Sequence, residues 1–397
     1  MIALSQRRCN PHRHARSRPA YNFARGGSLW LPRELWLPRE RRIECANLAM
    51  AFSPAMADMG TEETPLDLPG AANLRSWVTA QRFNSLAFNS VMQKLGTGPP
   101  PDVTLSGTAN ALYDPYIAID TTGGARGTAK FKWSINGGST FVQTLQTTAA
   151  SFVLGGTGLT ANFSAGTYAT DNAYVGKIVQ WNDISGHGNH YENALAGDGI
   201  ALPKVSQAGL VGRPALYFKK TDGNFLRRAN SSYCTELCGG NDTPFTSFTV
   251  AQLVSGATAA HGIWSITNTT LSTSAIAVGT PVSGSGQWVC VARGDSGSEL
   301  DAFGGTQDLS PHIFEYVRFG TTISLLISDA AGTTTVINAA AQDANSLTVA
   351  QAFLGATHSG ANVSGDVLIG EDLKYVGALD SATRGAIRGY LKRQWGL

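Results

Sequence analysis

Most of the chain after residue 100 consists of short runs in which apolar and polar side chains alternate, and this pattern constrains the fold more than any other feature. Successive side chains of a strand point to opposite faces, so each run buries one face and exposes the other. Asn136-Gly137-Gly138 and Asp329-Ala330-Ala331-Gly332 separate such runs and predict hairpin turns. Many short strands joined in this way predict an all-β sandwich or jelly roll. Three tryptophans inside alternating runs are expected in its core: Trp181, Trp264 and Trp288.

The C-terminal segment departs from this alternation and predicts a helix. Ile387, Leu391 and Trp395 recur at positions i, i+4 and i+8, which places them in one apolar stripe. Asp380 or Ser381 precedes the stripe, and either side chain suits the cap position of a helix. We expect this helix to pack its stripe against the sandwich.

Charge is unevenly distributed along the chain. Residues 1–49 contain ten Arg, no Lys and three Glu, so their net charge is +7. Because the net charge of the whole chain is +2, the remaining residues carry −5. Nucleic-acid-binding domains carry basic residues over a folded face, which this distribution does not provide. No run of about 18 apolar residues is present, which excludes a membrane-spanning helix. A hydrophobic content of 43% is sufficient for a packed core.

The N-terminal segment contains a perfect tandem repeat, Leu-Trp-Leu-Pro-Arg-Glu, over residues 29–34 and 35–40. Such a repeat fits a short duplication in the DNA better than a folding unit, and its prolines would interrupt a helix. Three interpretations stay open for the basic leader over residues 1–58: upstream DNA translated from a start codon placed too early, a disordered basic tail, or a targeting peptide. In the first case Met50, Met56 or Met59 is the true start.

Cysteine spacing favours structural thiols over a metal site. Cys234 and Cys238 are close enough in sequence to form a disulfide in an oxidising medium. A zinc site would need two further ligands at suitable spacing, which the sequence does not offer. Cys290 lies in an apolar run and is expected to be a buried free thiol.

The strand and loop around Trp181 resemble a known family. Val179-Gln180-Trp181-Asn182-Asp183-Ile184-Ser185-Gly186-His187-Gly188-Asn189-His190 is similar to the W-x-D-x-S-G-x-G-N-H segment of LamG-like domains of the concanavalin A-type lectin/glucanase group. Three further segments resemble that family in the same order, at residues 212–226, at residues 245–250, and at residues 368–375 followed by the C-terminal helix. The resemblance spans residues 175–397 and implies a concanavalin A-like β-sandwich.

A second resemblance lies inside the first. Residues 105–168 are similar to a small β module that is frequent in bacteriophage tail and prophage proteins, and Leu74–Val78 resembles the first strand of the LamG-like fold. The module is therefore expected to be an insertion. The predicted organisation is a leader over 1–58, the first strand region of the sandwich over 59–98, a small inserted β domain over 99–172, and the remaining sandwich with the C-terminal helix over 173–397.

The lectin resemblance directs attention to residues that suit glycan binding, which uses aromatic rings and planar polar side chains. The carbohydrate-binding candidates are His187, Asn189, His190, Tyr191, Asp222, Asn224 and Tyr233. Tyr191, His187 and Tyr233 lie in polar segments and are expected at the surface. Asp183 and Asn189 are candidate ligands of a calcium ion. In the alternative interpretation, their side chains stabilise the turn through hydrogen bonds to the backbone.

The sequence offers little support for catalysis. Glycosidases on this scaffold need two carboxylates about 5–9 Å apart, whereas Glu371 and Asp372 are adjacent and should point to opposite faces. Arg293-Gly294-Asp295-Ser296-Gly297 resembles the serine segment of chymotrypsin-like proteases. His261 precedes Ser296 by only 35 residues, which does not fit that fold.

The favoured interpretation is a non-catalytic phage or prophage particle protein, a virion or extracellular component that serves adhesion or decoration by binding host-surface glycans. It would act with other particle subunits, as a homo-oligomer, without nucleic acid. One alternative is a polysaccharide depolymerase, a hydrolase or lyase on the same scaffold, which soluble sugar products would reveal. The other is a purely structural virion subunit, which an exposed apolar patch and obligate oligomerisation would favour.

Overall fold

Strands make up most of the regular structure. The computed structural model describes residues 63–82, 85–193, 202–241, 243–255, 261–268, 275–280, 286–295, 299–340, 347–357 and 365–397. The chain divides into two units, residues 1–62 and 63–397, and every described residue belongs to the second. The predicted leader over residues 1–58, with its candidate start codons, therefore lies outside the described residues.

The described part contains 27 strands and two α-helices. The first strands are β1 (Leu74–Thr79), β2 (Leu86–Phe88), β3 (Gln93–Leu95), β4 (Val103–Gly107), β5 (Tyr116–Ile119), β6 (Gly124–Ala125), β7 (Lys130–Ser134), β8 (Gln143–Thr147) and β9 (Phe152–Val153). The next are β10 (Leu159–Phe163), β11 (Thr167–Tyr168), β12 (Ala173–Val175), β13 (Ile178–Trp181), β14 (Tyr191–Glu192), β15 (Lys204–Leu210), β16 (Arg213–Phe218), β17 (Leu226–Ala229) and β18 (Phe245–Leu253). The last are β19 (His261–Thr267), β20 (Ala275–Thr280), β21 (Trp288–Arg293), β22 (Glu299–Gly304), β23 (His312–Phe319), β24 (Thr322–Asp329), β25 (Gly332–Ala340), β26 (Gln351–Leu354) and β27 (Val367–Val376). The helices are α1 (Ser231–Cys238) and α2 (Ser381–Trp395).

Two large antiparallel sheets form the sandwich. The first sheet has eight strands in the order β15-β16-β27-β18-β23-β24-β25, and β1 pairs with β27 beside this path. The second sheet has nine strands in the order β2-β13-β14-β17-β26-β19-β20-β21-β22. Side chains from both sheets form one buried cluster, with Trp181 and Trp264 from the second sheet and Phe314 and Leu325 from the first. The predicted all-β sandwich is confirmed.

The predicted turns and core tryptophans are confirmed as well. Asn136-Gly137-Gly138 lies in the connection between the paired strands β7 and β8, and its glycines adopt positive φ. Ala330 and Ala331 connect β24 to β25. Trp181, Trp264 and Trp288 are all buried.

Strand β27 is buried on both faces and contains one irregular residue, Gly370. Val250 of β18 pairs with Glu371 and the next residue, Ala251, pairs with Ile369, so Gly370 is an extra residue in β27. The extra residue shifts the alternation of β27. Ile369 before it contributes to the cluster between the sheets, while Leu373 after it contributes to a separate cluster on the outer face.

Helix α2 covers part of this outer face, as the sequence predicts. Asp380 caps its start by accepting a hydrogen bond from the Thr383 backbone N–H at 2.9 Å. Ile387, Leu391 and Trp395 are buried in the outer cluster. Glu315 of β23 is fully buried and binds the guanidinium groups of Arg384 and Arg388 from the helix.

Three smaller sheets lie between β2 and β13 in the chain. Their strand orders are β3-β12-β5-β7-β8, β4-β10-β9 and β11-β6. They share a hydrophobic cluster of their own, which includes Phe131, Trp133 and Phe163. Leu86 of β2 pairs with Trp181 of β13, so the chain leaves the second large sheet and returns to a neighbouring strand. The domain boundaries predicted from the sequence stay a prediction.

Substituting Gly370 with Ala should destabilise the protein by about 3 kcal/mol, because overpacking a core forces side chains out of place. A Cβ atom at this position would lie 2.3 Å from Cη2 of the buried Trp395 indole. Urea unfolding followed by tryptophan fluorescence measures the change.

Gly385→Ala is the matched control for this substitution. Gly385 lies inside helix α2, and the nearest atom to an added Cβ is 3.8 Å away, on the flexible side chain of Arg388. This variant should gain about 0.5–1 kcal/mol from the higher helix propensity of alanine. Equal stability of Gly370→Ala and the wild type would contradict the packing described for Trp395.

Candidate functional site

Asp183, a candidate calcium ligand, stabilises the loop in which it lies. Its Oδ1 accepts hydrogen bonds from the backbone N–H groups of Trp77 and Ser185, each at 2.9 Å. Its Oδ2 accepts from the Ser185 hydroxyl at 2.9 Å and from the Asn189 backbone N–H at 2.8 Å. The carboxylate thus joins both ends of the loop to strand β1.

The side chains of Asn189 and His190 stabilise the same loop through hydrogen bonds, whereas the side chain of His187 is exposed. The Asn189 side-chain amide donates to the Arg75 carbonyl oxygen of β1. Nδ1 of His190 accepts a hydrogen bond from the Asp183 backbone N–H at 3.0 Å. His187 lies at the exposed tip of the loop. Of these three candidates, His187 is the one most accessible to a ligand.

The hydrogen bonds of Asp183 match the turn-stabilising interpretation. Four N–H or O–H hydrogens point at its oxygens, where a cation would otherwise bind. Among the described residues, no group of three or more His, Cys, Asp or Glu side chains is placed to hold a metal ion. The calcium site stays a prediction.

The loop that contains the candidates Asp222 and Asn224 is held by Lys219 and by Asp366 next to β27. Asp222 forms an ion pair with Lys219 at 2.9 Å. Asn224 is buried, and its Oδ1 accepts a hydrogen bond from the Lys219 backbone N–H at 2.9 Å. The neighbouring Lys220 backbone N–H donates to Asp366 at 2.8 Å, next to β27. Asp222 is partly exposed, whereas Asn224 stabilises the loop.

The expectation that Tyr191 and Tyr233 are surface aromatics is wrong. Both side chains are buried and belong to the cluster between the two large sheets. Tyr191 lies in β14, whose pairing with β13 turns the ring inward, and Tyr233 lies on the buried face of helix α1. Burial raises the pKa of both hydroxyl groups well above its ordinary value. Neither ring is available to a ligand at the surface.

The body cysteines are buried free thiols. Cys234 and Cys238 lie one turn apart on helix α1, without a disulfide between them. Cys290 is also free and buried, as predicted. Burial raises the pKa of Cys238 to about 12, so its thiolate is not populated near neutral pH.

Glu371 and Asp372 point to opposite faces of β27, as predicted. On the outer face, Glu371 accepts hydrogen bonds from the indole N–H groups of Trp77 and Trp395 at 2.7 and 2.8 Å. Tyr390 also donates to this carboxylate, at 3.0 Å. On the inner face, Asp372 accepts from Thr249 and forms an ion pair with Lys374. Both carboxylates are fully buried, which separates them from any substrate in solution.

The protease-like fragment has no catalytic arrangement in its described residues. Nδ1 of the buried His261 accepts a hydrogen bond from the Asp366 backbone N–H at 3.0 Å. Asp295 accepts hydrogen bonds from the backbone and hydroxyl of Thr348 at 3.0 and 2.7 Å. Ser296 lies outside the described residues.

A groove lies on the outer face of the first sheet. Its volume is about 470 Å³, and it lies between strands β23–β25 and the start of helix α2. Val317, Leu326 and Leu379 supply its apolar lining. Phe319 lies at the end of β23, is 70% exposed and also lines the groove.

Polar groups adjoin this apolar surface. The Ser324 hydroxyl donates to Oδ1 of Asn338 at 3.3 Å, which orients the amide, and the Asn338 side chain is exposed. The Asp380 carboxylate and the Arg384 guanidinium line the opposite side. Hydrogen bonds from Thr383 hold the pKa of Asp380 below its usual value, so this carboxylate is charged at neutral pH. An aromatic ring beside planar polar groups suits the apolar and hydroxyl faces of a sugar.

Sequence reasoning missed this groove. The available signal was Phe319, an aromatic residue placed directly before the Gly320-Thr321 turn between two strands. Asn338 and Arg384 are distant from Phe319 in sequence, and only the sheet order brings them to one surface.

Comparisons with known proteins do not assign a family. No protein-family model matches the sequence, and no curated protein matches it. Similar solved structures include a Trypanosoma rangeli sialidase, at 12% identity and a TM-score of 0.39 over 54% of this chain and 31% of that chain. A GH54 α-L-arabinofuranosidase is 12% identical with a TM-score of 0.40, over 83% of this chain and 65% of that chain. The CBM40 of a Ruminococcus gnavus IT-sialidase bound to α2,3-sialyllactose is 12% identical with a TM-score of 0.29, over 37% of this chain and 83% of that chain.

This chain therefore spans about a third of the length of the sialidase that it matches. Similarity at this level assigns neither a family nor an activity. Within the described residues, no helix is long and apolar enough to cross a membrane.

Asp183→Ala should lower the free energy of unfolding by at least about 2 kcal/mol, because it leaves buried backbone N–H groups without acceptors. Calcium and a chelator should leave the wild-type Tm unchanged, since donor hydrogens surround the carboxylate. Differential scanning calorimetry with calcium or with EDTA measures both effects. A calcium-dependent rise in the wild-type Tm that Asp183→Ala abolishes would instead establish the ion site.

The free energy of unfolding should increase as the pH falls from about 8 to about 5, because the buried carboxylate of Glu371 takes up a proton in this range. Burial raises the pKa of Glu371 to about 7, partly offset by its hydrogen-bond donors Trp395, Trp77 and Tyr390. The folded state therefore binds a proton that the unfolded state, with an ordinary pKa near 4.5, does not bind in this range. Relative to Glu371→Gln, the wild type should gain stability on the order of a few kcal/mol over this range. Urea unfolding at each pH measures the free energy of unfolding of the wild type and of Glu371→Gln. If the two values changed with pH in parallel, the Glu371 carboxyl would not titrate in this way.

Proposed function

We propose that this protein binds glycans through the groove beside Phe319 and that it has no catalytic activity. The observation that carries the proposal is the 70% exposed ring of Phe319 beside the amide of Asn338 and the guanidinium of Arg384. Ligand pockets commonly combine apolar and aromatic side chains with a few polar groups that fix the orientation of the ligand. A sugar ring can stack its C–H face on Phe319 while its hydroxyl groups bond the neighbouring polar side chains.

A single groove of this kind binds weakly, so the function requires several copies. We propose that the protein is a homo-oligomeric component of a phage or prophage particle, exposed outside the cell, where it serves adhesion or decoration. Linked copies raise avidity without new contacts. The resemblance of residues 105–168 to phage tail modules supports the particle role.

Binding to a panel of bacterial surface polysaccharides tests the proposal, with the full chain and with sugar release followed in the same samples. Phe319→Ala should weaken retention about tenfold, since covering a phenyl ring contributes about 1.5–3 kcal/mol. Val254→Ala is the matched control, because Val254 is also an exposed apolar side chain, 43% accessible, but does not line the groove.

Retention without soluble fragments, lost in Phe319→Ala and kept in Val254→Ala, supports glycan binding in the groove. Soluble fragments that accumulate with time would overturn the non-catalytic assignment and favour a depolymerase. Absence of both retention and fragments would overturn glycan binding and favour a structural subunit.

A further inference from the structure

Strand register gives the length of the groove beside Phe319. Phe319 and Val317 lie at alternate positions of β23, so both side chains point to the outer face and into the groove. Leu326 also lines the groove, and it pairs with Glu315, four residues before Phe319. A strand advances by about 3.4 Å per residue, so these two ends of the groove are roughly 14 Å apart. This exceeds the length of one sugar ring, so a ligand that reaches both ends has at least two consecutive rings.

The end of the groove at Leu326 combines apolar and polar groups. Arg384 binds Glu315, the strand partner of Leu326, so the guanidinium and the Leu326 side chain lie at the same end. Asp380 caps helix α2 one turn before Arg384, and both Asp380 and the preceding Leu379 line the groove. Leu326 is partly exposed and Asp380 is exposed, so a ligand in the groove can contact both.

The charges at this end disfavour an acidic ligand. The fully buried Glu315 binds the guanidinium of Arg384 at 2.8 Å and also that of Arg388, so Arg384 already has a counter-charge. Asp380 accepts hydrogen bonds from the Thr383 N–H and hydroxyl at 2.9 and 2.8 Å, and none of the described residues forms an ion pair with it. A ligand carboxylate would therefore meet the negative charge of Asp380 without an unpaired cation to offset it. The groove favours a neutral group.

We propose that this end of the groove selects an N-acetylated hexosamine within the glycan, an inference that rests on the proposed function. An acetamido group presents a methyl group, a carbonyl acceptor and an N–H donor in one planar unit. Its methyl group packs against Leu326 and Leu379, its carbonyl accepts from Arg384, and its N–H donates to Asp380. A hydroxyl group in its place would leave the apolar side chains uncovered. An amino group would keep the donor but would lack both the methyl group and the carbonyl.

Isothermal titration calorimetry of the full chain tests the selection with three β1,4-linked disaccharides that differ only at C2 of each ring. N,N′-diacetylchitobiose carries acetamido groups there, chitobiose carries amino groups, and cellobiose carries hydroxyl groups. N,N′-diacetylchitobiose should bind at least about tenfold more tightly than the other two, since it alone covers the apolar lining and satisfies both polar groups. Equal affinity for cellobiose, or no binding of N,N′-diacetylchitobiose, would overturn the proposal. This comparison uses the wild type and does not depend on the folding of a variant.

Variants locate the acetamido group. Leu326→Ala and Asp380→Asn should each reduce the ratio of the affinities for N,N′-diacetylchitobiose and cellobiose about threefold or more, since one removes apolar contact and the other a charged acceptor. Asparagine is also a good helix cap, so Asp380→Asn keeps the start of helix α2. Phe319→Ala should weaken both disaccharides to the same extent, because stacking on the ring does not depend on the group at C2.

Leu309→Ala is the matched control for Leu326→Ala. Leu309 is 48% exposed and does not line the groove, so its loss should change neither affinity. An unchanged ratio in both Leu326→Ala and Asp380→Asn would overturn the placement of the acetamido group.

The polysaccharide panel separates this inference from the proposed function. Retention that Phe319→Ala abolishes, together with equal affinity for the three disaccharides, would overturn the acetamido selection alone. Absence of retention, together with no binding of any disaccharide, would overturn both.

Discussion

The packing of Trp395 on Gly370 is the constraint on which the first sheet depends. Gly370 lets β27 change its alternation: Val367 and Ile369 before it face the second sheet, whereas Leu373 and Tyr375 after it face outward. The indole occupies the space that a Cβ would take, and its N–H reaches the buried carboxylate of Glu371. A strand buried on both faces then carries polar side chains on both: Glu371 accepts hydrogen bonds from Trp77, Trp395 and Tyr390 on the outer face, and Asp372 bonds Thr249 and Lys374 on the inner face.

The same packing defines the open surface. Helix α2 is fixed by its apolar stripe, by the ion pairs of Glu315, and by hydrogen bonds from Lys392 to the Asp329 and Gly332 carbonyl oxygens where β24 meets β25. Its first turn then forms one wall of the groove, and the uncovered strands form the floor. The groove is therefore a consequence of how the C-terminal helix is anchored.

Periodicity in the sequence was sufficient to predict the strands and the capped helix, because local side-chain alternation determines both. It failed for Tyr191 and Tyr233, which lie among polar residues yet point inward, since a short strand and a short helix carry too little pattern to reveal their buried face. The groove was missed for a different reason. Phe319 and Asn338 become neighbours only through sheet order and strand pairing.

Two lysines of this chain, Lys374 and Lys177, show two ways in which a buried lysine side chain is accommodated. Lys374 is enclosed in the core, where it bonds Ser247, pairs with Asp372 and lies 4.3 Å from the Trp264 ring centre. Every interaction that a buried ammonium needs is supplied by the protein, so its role is in the core. Lys177 is 3% exposed, but its Nζ is not one of the buried side-chain atoms that lack a hydrogen-bond partner, so water can solvate the ammonium. A buried lysine is therefore stabilised either by partners within the core or by water at the end of its long side chain.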